Sequence, residues 1–236
     1  MIESLKKARI MVVVAHPDDE VLGLGATMNR LISSFKSVCH VVILGEGITS
    51  RLENRDTSKW RKELKIHKKN ILAAQEVIGY QSISIYDFPD NRFDSVALLD
   101  IIKVIEKEKL QFNPDAIFTH HGGDLNVDHQ KTYEAVITAT RPVKLEKVKH
   151  IITFETPSGT EWSALSNVNQ FIPNFFVELD KNNIEQKIIA MESYYYEKRN
   201  YPHPRSPEAL MIQAKKWGIT VGKKYIEAFK VVRSVN

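Results

Sequence analysis

The sequence predicts an α/β sandwich of three layers built on a mostly parallel central sheet, and two observations carry that expectation. Apolar, β-branched runs alternate with amphipathic helical segments through the first two-thirds of the 236-residue chain. The runs are apolar at nearly every position, as in "RIMVVVA" at 9–15, which marks strands covered on both faces rather than one. Strands of that kind alternating with helices argue for a parallel sheet flanked by helices.

In chain order, strands are expected at 9–15, 37–45, 82–88, 115–121 and 149–155. Helices are expected at 20–35, at 59–78 with Gly79 as a left-handed C-terminal cap, at 95–110 with Ser95 as N-cap, and at 127–141. The last third is less regular. It reads as a strand at 174–180, a helix at 182–198, and a helix at 206–218 with Ser206 as N-cap, Pro207 at its first position and Gly218 past its end. "YIEAFKVV" at 225–232 closes the chain. With no internal repeat, low-complexity tract or linker, residues 1–236 read as one domain.

Composition narrows the class. Apolar residues make up 43% and charged residues 26%, as in ordinary soluble globular proteins. The net charge of +4 is dispersed. Its densest stretch, "KWRKELKIHKK" at 59–69, has helical spacing and no known binding motif, so it reads as a solvated helix face rather than a nucleic-acid footprint. The single cysteine, Cys39, lies in an apolar strand and excludes an intramolecular disulfide framework, which fits a reducing compartment. The apolar run near the N-terminus is too short for a signal-peptide core or a membrane span, and a cytoplasmic protein is expected.

The chemistry concentrates where strands end. "HPDDE" (His16 to Glu20) follows the first strand, and "HHGGDLNVDH" (120–129) follows the fourth. In an open α/β sheet, ligands bind outside the carboxyl ends of the strands at the switch in strand order, so adjacency of strands one and four would bring both clusters together. Imidazole and carboxylate suit a divalent ion of the zinc type, and His16, Asp19 and His129 make a two-histidine, one-carboxylate set. Three protein ligands leave a position for water, whose pKa falls to about 7 on such an ion. Asp18 is then free to act as general base, with Glu20 and Asp128 as supporting groups behind the ligands. Helix capping, worth roughly 0.3–1 kcal/mol per acid, accounts for one or two of these carboxylates but not for the histidines before and opposite them.

Other site types fare worse. "GLGA" at 23–26 does not complete a G-x-G-x-x-G loop, and acids beside it would repel a pyrophosphate. No G-x-S-x-G elbow is present.

With "AHPDDEVLGLGA" and "HGGDLNVDH" in view, the chain resembles the PIG-L (LmbE-like) family of metal-dependent de-N-acetylases over essentially its whole length, "YPHPRSPEAL" and "YIEAFKVVR" looking like the closing segments of one bacterial branch. The resemblance implies a Rossmann-like sandwich and hydrolysis of an acetamide on an amino sugar or its conjugate, with the same metal ligands (His16, Asp19, His129) and the same base (Asp18). One departure is visible: where several branches carry an oxyanion-stabilising histidine three positions before the ligand histidine, this chain has Asn126. An asparagine amide can donate to an oxyanion but cannot protonate a leaving amine, which leaves that task to Asp18 or to His203 in "PHPRS". The resemblance also makes Arg51 and Asp90 candidates for gripping sugar hydroxyls or an anionic aglycone. Arg205 could pair a phosphate or carboxylate, whereas Tyr194-Tyr195-Tyr196, on the expected helix, reads as packing.

The expected function is therefore a zinc-dependent N-deacetylase, with iron, cobalt or nickel able to occupy the same ligands. Its substrate would be a small N-acetylated sugar or sugar conjugate, free, nucleotide-linked or lipid-linked. The alternatives are an amidase acting on a thiol-sugar conjugate and a non-catalytic sugar- or nucleotide-binding module. The tyrosine-rich C-terminal third could supply a homo-oligomer interface.

Overall fold

Seven strands form one sheet: β1 (Arg9–Val14), β2 (Val38–Gly45), β3 (Ser82–Phe88), β4 (Ala116–His120), β5 (His150–Phe154), β6 (Phe175–Glu178) and β7 (Ile226–Ser234). The structure is a computed structural model that describes residues 1–51, 53–163 and 170–235. The strand order is β3-β2-β1-β4-β5-β7-β6. β1 to β5 pair in parallel, while β7 runs antiparallel between β5 and β6. The mostly parallel α/β sheet expected from strand composition is the fold observed.

Alternation along β1 explains the layers. Ile10, Val12 and Val14 face a core shared with α1 (Asp19–Ser33), α2 (Arg61–Ile78), α5 (Lys181–Ser193) and α6 (Pro207–Val221). Met11 and Val13 face the opposite core, closed by α3 (Leu98–Phe112) and α4 (Val127–Ala139). Each such fully buried aliphatic side chain contributes on the order of 1.5–3 kcal/mol. Cys39 is buried in β2, as its apolar setting predicts. One ion pair crosses the first core: Lys187 of α5 donates to Glu227 of β7 and to the Leu22 carbonyl of α1, both at 2.7 Å. Every member is hydrogen-bonded, the condition under which a buried charge is tolerated.

Three expected boundaries move. Ser95 does not cap α3; it ends a 3-10 turn (Phe93–Ser95), and the helix starts at Leu98 behind Ala97. The cause is tertiary, since Asp128 accepts the Phe93 N–H at 2.9 Å and holds the turn in place. The helix expected at 182–198 stops at Ser193, because Tyr194 turns inward to donate its hydroxyl to Glu20. Tyr195 to Glu197 then form a short 3-10 turn. Gly218 lies inside α6, which ends three residues later at Val221 with Gly222 (φ 71°) as its left-handed cap. A Cβ on Gly218 would meet the Lys223 carbonyl at 2.5 Å, so this glycine lets the returning chain close against the helix. Gly79 and Ser206 act as caps as their sequence contexts predict.

Candidate active site

β1 and β4 lie side by side, with Val13 opposite Thr119, and both strands end beneath one cavity of about 660 Å³. The chain builds outward from β1 through β2 to β3 and then returns to place β4 on the other side, so this is the switch point where α/β sheets open a crevice. The volume is in the range that takes a drug-sized ligand.

After β1 the chain turns through Ala15–Pro17 into α1, and Asp18 occupies the N-cap position with φ 104°. A non-glycine residue there costs about 1–3 kcal/mol and persists only where its surroundings over-determine it. They do so here. The Asp18 N–H donates to Glu20 Oε2 at 3.1 Å, and Arg205 Nη1 donates to Asp18 Oδ2 at 2.9 Å. In the first turn of α1, Asp19 Oδ2 accepts the His16 N–H at 2.8 Å and so closes the loop on itself.

Donor atoms of His16, Asp19 and His129 lie within 4.8 Å of one another. The Asp19 Oδ2 atom is 3.4 Å from His16 Nδ1 and 3.3 Å from His129 Nε2. A carboxylate stands behind each histidine. Asp128 Oδ2 takes the outer nitrogen of His16 at 2.8 Å, and Asp124 Oδ1 lies 3.0 Å from His129 Nδ1. Both rings thus turn their remaining nitrogen toward Asp19, the arrangement by which histidine ligands are aimed at a metal. Asp19 Oδ1 is buried with no hydrogen-bond partner among the described residues. A buried carboxylate oxygen left idle between two oriented imidazoles fits a divalent ion of the zinc type. A second group, His16, Asp90 and Asp128, also converges. Its Asp128 oxygen already receives the His16 ring and the Asn91 N–H (2.6 Å), so it reads as the support of the first.

The protonation pattern follows from this crowding. Burial pulls His16 down, but the bonds to Asp128 and Asp19 and the charges of Asp19 and Asp90 outweigh it and hold its pKa well above the usual value. Burial likewise pulls His129 down, but Asp19 and Asp124 more than offset it and raise its pKa to about 9. Asp19 is held well below the usual carboxylate range: burial would raise it, and the two facing histidines, His129 and His120, win. Asp18 goes the other way. Burial raises its pKa well above normal, and the Arg205 charge only partly counters that. Two adjacent aspartates therefore behave oppositely, one a fixed anion and the other a group able to take up a proton.

The sequence reading missed His120 and Asp124. His120 stacks on His129 at 3.9 Å, accepts the Ala15 N–H at Nε2 and faces Thr156 Oγ1 through Nδ1. Burial, helped by the neighbouring His129 charge, pushes it down to about 4, so it packs as a neutral ring. Asp124 accepts the Asn126 N–H and the Thr160 hydroxyl as well as facing His129. A carboxylate five residues before His129 was a legible signal for such a support.

The remaining candidates line the cavity. Asn126 caps α4, its Oδ1 accepting the Asp128 N–H and its amide donating to Asn91 at 2.9 Å. Asp90 accepts the Ser50 N–H and hydroxyl. Arg51 pairs with Glu197 Oε1 at 2.6 Å, and Arg205 reaches Glu197 Oε2 at 3.3 Å and Ser158 Oγ at 2.8 Å. Arg199, unforeseen from the sequence, reaches the same Glu197 at 3.4 Å. His203 sits edge-on to Trp162 at 5.2 Å and accepts the Arg205 N–H at Nδ1. Its pKa is lowered by burial and by the Arg205 and Arg199 charges. Trp162 is 53% exposed on the cavity wall.

This geometry has relatives. The profile of the PIG-L family, described as GlcNAc-PI de-N-acetylase, matches residues 11–140. The chain belongs to that family. Its range spans β1 to α4 and so contains His16, Asp19 and His129, whose donor atoms converge. The chain is 27% identical over 196 residues to the uncharacterised deacetylase YaiS of Escherichia coli, covering 80% of this chain and 91% of that protein. Among solved structures it is similar to N,N'-diacetylchitobiose deacetylase from Pyrococcus horikoshii, with TM-score 0.75, 18% identity and coverage of 97% and 85% of the two chains. It is also similar to GalB, a 4-carboxy-2-hydroxymuconate hydratase from Pseudomonas putida, with TM-score 0.70, 20% identity and coverage of 97% and 98%. The two structural likenesses speak to the fold alone, and the fold serves different reactions. No helix among the described residues is long and apolar enough to cross a membrane.

Proposed function

We propose that this PIG-L family chain, acting as one domain over residues 1–236, is a metal-dependent N-deacetylase that releases acetate from an N-acetylated amino sugar or its conjugate. The observation that carries the reading is the oriented His16–Asp19–His129 donor set beneath the cavity, with Asp18 beside it and outside it. The YaiS name and the chitobiose deacetylase likeness support an acetamide as the group attacked.

A divalent ion on His16, Asp19 and His129, zinc by ligand type, would polarise the acetamide carbonyl and ease deprotonation of water. Asp18 is the base. Its raised pKa and its place on the cavity wall suit it to accept a proton as water attacks the carbonyl carbon. When the C–N bond breaks, the electron pair leaves on nitrogen, and the proton held by Asp18 passes to the amine. The one Asn126 amide hydrogen not given to Asn91 is available to the oxyanion. His203 is the second candidate for protonating the amine, but its lowered pKa makes its cationic form scarce, which favours Asp18. Normal turnover of His203→Ala with metal retained would settle the acid as Asp18.

Three guanidinium groups, Arg51, Arg199 and Arg205, gather around one carboxylate, Glu197. That cationic wall, with Asp90 at its edge, suits a substrate whose aglycone carries a phosphate or carboxylate, such as a nucleotide-linked acetamido sugar. The same wall favours a second reading, hydration of a carboxylated non-sugar substrate as in the GalB name.

Acetate release from a panel of free, phosphorylated and nucleotide-linked N-acetyl sugars tests the proposal. Activity lost to a chelator, regained with zinc and absent in His16→Ala is expected. A metal-loaded protein that hydrates an enoic acid but leaves every acetamide intact would replace it with the second reading. Sugar binding without turnover would favour a binding module.

A further inference from the structure

Asp18 is gripped at both ends by one distant stretch of chain. Arg205 holds its carboxylate, as described above. Its backbone is held through a relay: Tyr194, the residue that closes α5, donates its hydroxyl to Glu20 Oε1, and Glu20 Oε2 accepts the Asp18 N–H at 3.1 Å. Tyr194 and Glu20 are both fully buried. The Tyr194–Glu20 bond spans 174 positions of sequence, and the relay ends on a site residue whose backbone occupies the left-handed region.

We infer that Tyr194 is a positioning residue for Asp18, acting through Glu20 to fix the strained turn that presents the Asp18 carboxylate to the cavity. The argument rests on three features. First, an aspartate at φ 104° needs partners that hold it there, and among the described residues its amide has a single acceptor, Glu20. Second, a glutamate side chain has several rotamers available, and the Tyr194 hydroxyl selects the one that leaves Oε2 for Asp18. Third, Tyr194 is prevented from following the groups it holds. Its ring is packed in the core, and its own N–H is bonded to the Met191 carbonyl at 3.0 Å. Tyr80, the other buried tyrosine near Glu20, spends its hydroxyl on the Ile71 carbonyl and does not compete.

The inference uses the Asp18 role proposed above, so its test has an arm independent of turnover. Tyr194→Phe keeps the ring and deletes only the hydroxyl. In the full-length zinc-loaded enzyme, kcat is expected to fall about ten-fold, with KM within two-fold and zinc stoichiometry unchanged. In chelator-treated protein, hydrogen exchange at the Asp18 amide is expected to quicken at least ten-fold, while amides in mid-β1 hold their wild-type rates. Adding Tyr194→Phe to Glu20→Ala should cost nothing further in either readout, because the relay is already cut. If Tyr194→Phe lowers the melting temperature but leaves kcat and Asp18 exchange at wild-type values, Tyr194 is a core residue and the inference is overturned. Additive losses in the double variant overturn it too. Should the wild-type protein prove inactive on every acetamide, the deacetylase reading fails by itself, and the exchange rates still decide the relay.

Discussion

The floor and the wall of the cavity are built by opposite means. The floor comes from two short stretches, His16–Glu20 and His120–His129, each fixed to the end of a central parallel strand. The wall comes from residues 194–205, a segment with one 3-10 turn, which reaches the site from the far end of the chain. Floor residues touch one another at close sequence separation or across one strand pair. Wall residues act across 146 positions (Arg51 to Glu197) and 187 positions (Asp18 to Arg205). Under the proposed function, the floor carries the chemistry, and the wall sets what is admitted and how Asp18 is held.

The largest effect should come from the floor. Asp18→Asn removes the proposed base without touching a ligand, and kcat should drop by about 10²–10⁴-fold with bound metal unchanged, measured by acetate release and metal analysis together. Loss of metal in that variant would show that Asp18 belongs among the ligands and would break the division between base and ligand. Next, Asp124→Ala should weaken metal affinity by about 10–100-fold, since it frees the outer nitrogen of His129. Competition with a chromogenic chelator reads this directly, and unchanged affinity would reduce Asp124 to a fold-stabilising role.

The wall should answer differently. Arg199→Ala removes one charged donor, a contact worth about 1.5–3 kcal/mol to an anionic group, so KM for a phosphorylated or carboxylated substrate should rise about ten-fold or more. A neutral acetamido sugar should show little change. Equal losses on both substrates would mean that the wall stabilises structure rather than selecting charge.

The same division explains what could be read in advance. Floor residues announce themselves because polar groups interrupt apolar strands, and the carboxyl ends of parallel strands are where such groups can meet. That His16, Asp19, His129 and Asp128 come together was legible on that ground. Asp124 was less legible, because it lies in the loop before α4 and only the folded loop sets it against His129. Arg199, Glu197 and Tyr194 had no local signal. An arginine among surface residues or a tyrosine at a helix end acquires its role only when α5 and the chain after it are packed against α1. Ser95 failed for a related reason: its sequence suits a cap, but the bond from Phe93 to Asp128 fixes the turn and postpones the helix.

The mildest perturbation for the chemistry addresses how the wall is anchored. His67 of α2 is buried, stacks on Tyr196 at 5.5 Å and 6°, and has no hydrogen-bond partner for either ring nitrogen among the described residues. Burial, with the nearby Arg51 charge, pushes its pKa down to about 4, against a weaker pull from Asp90. The sign follows from proton counting. Above about 6.5 the ring is neutral in both folded and unfolded chains and adds no pH dependence. As pH falls from about 6.5 to about 4, the unfolded chain takes up a proton that the folded chain refuses, so stability declines, by about 3 kcal/mol once pH is below both values. His67→Phe keeps a flat ring against Tyr196 and cannot titrate. Denaturant titrations of both proteins between pH 7 and pH 4 should therefore diverge steadily toward the acid side, the variant lacking about that much of the wild-type loss. Parallel curves would mean that His67 finds a proton acceptor as the pH falls, and the stack on Tyr196 would then be a weaker anchor for the wall than its burial implies.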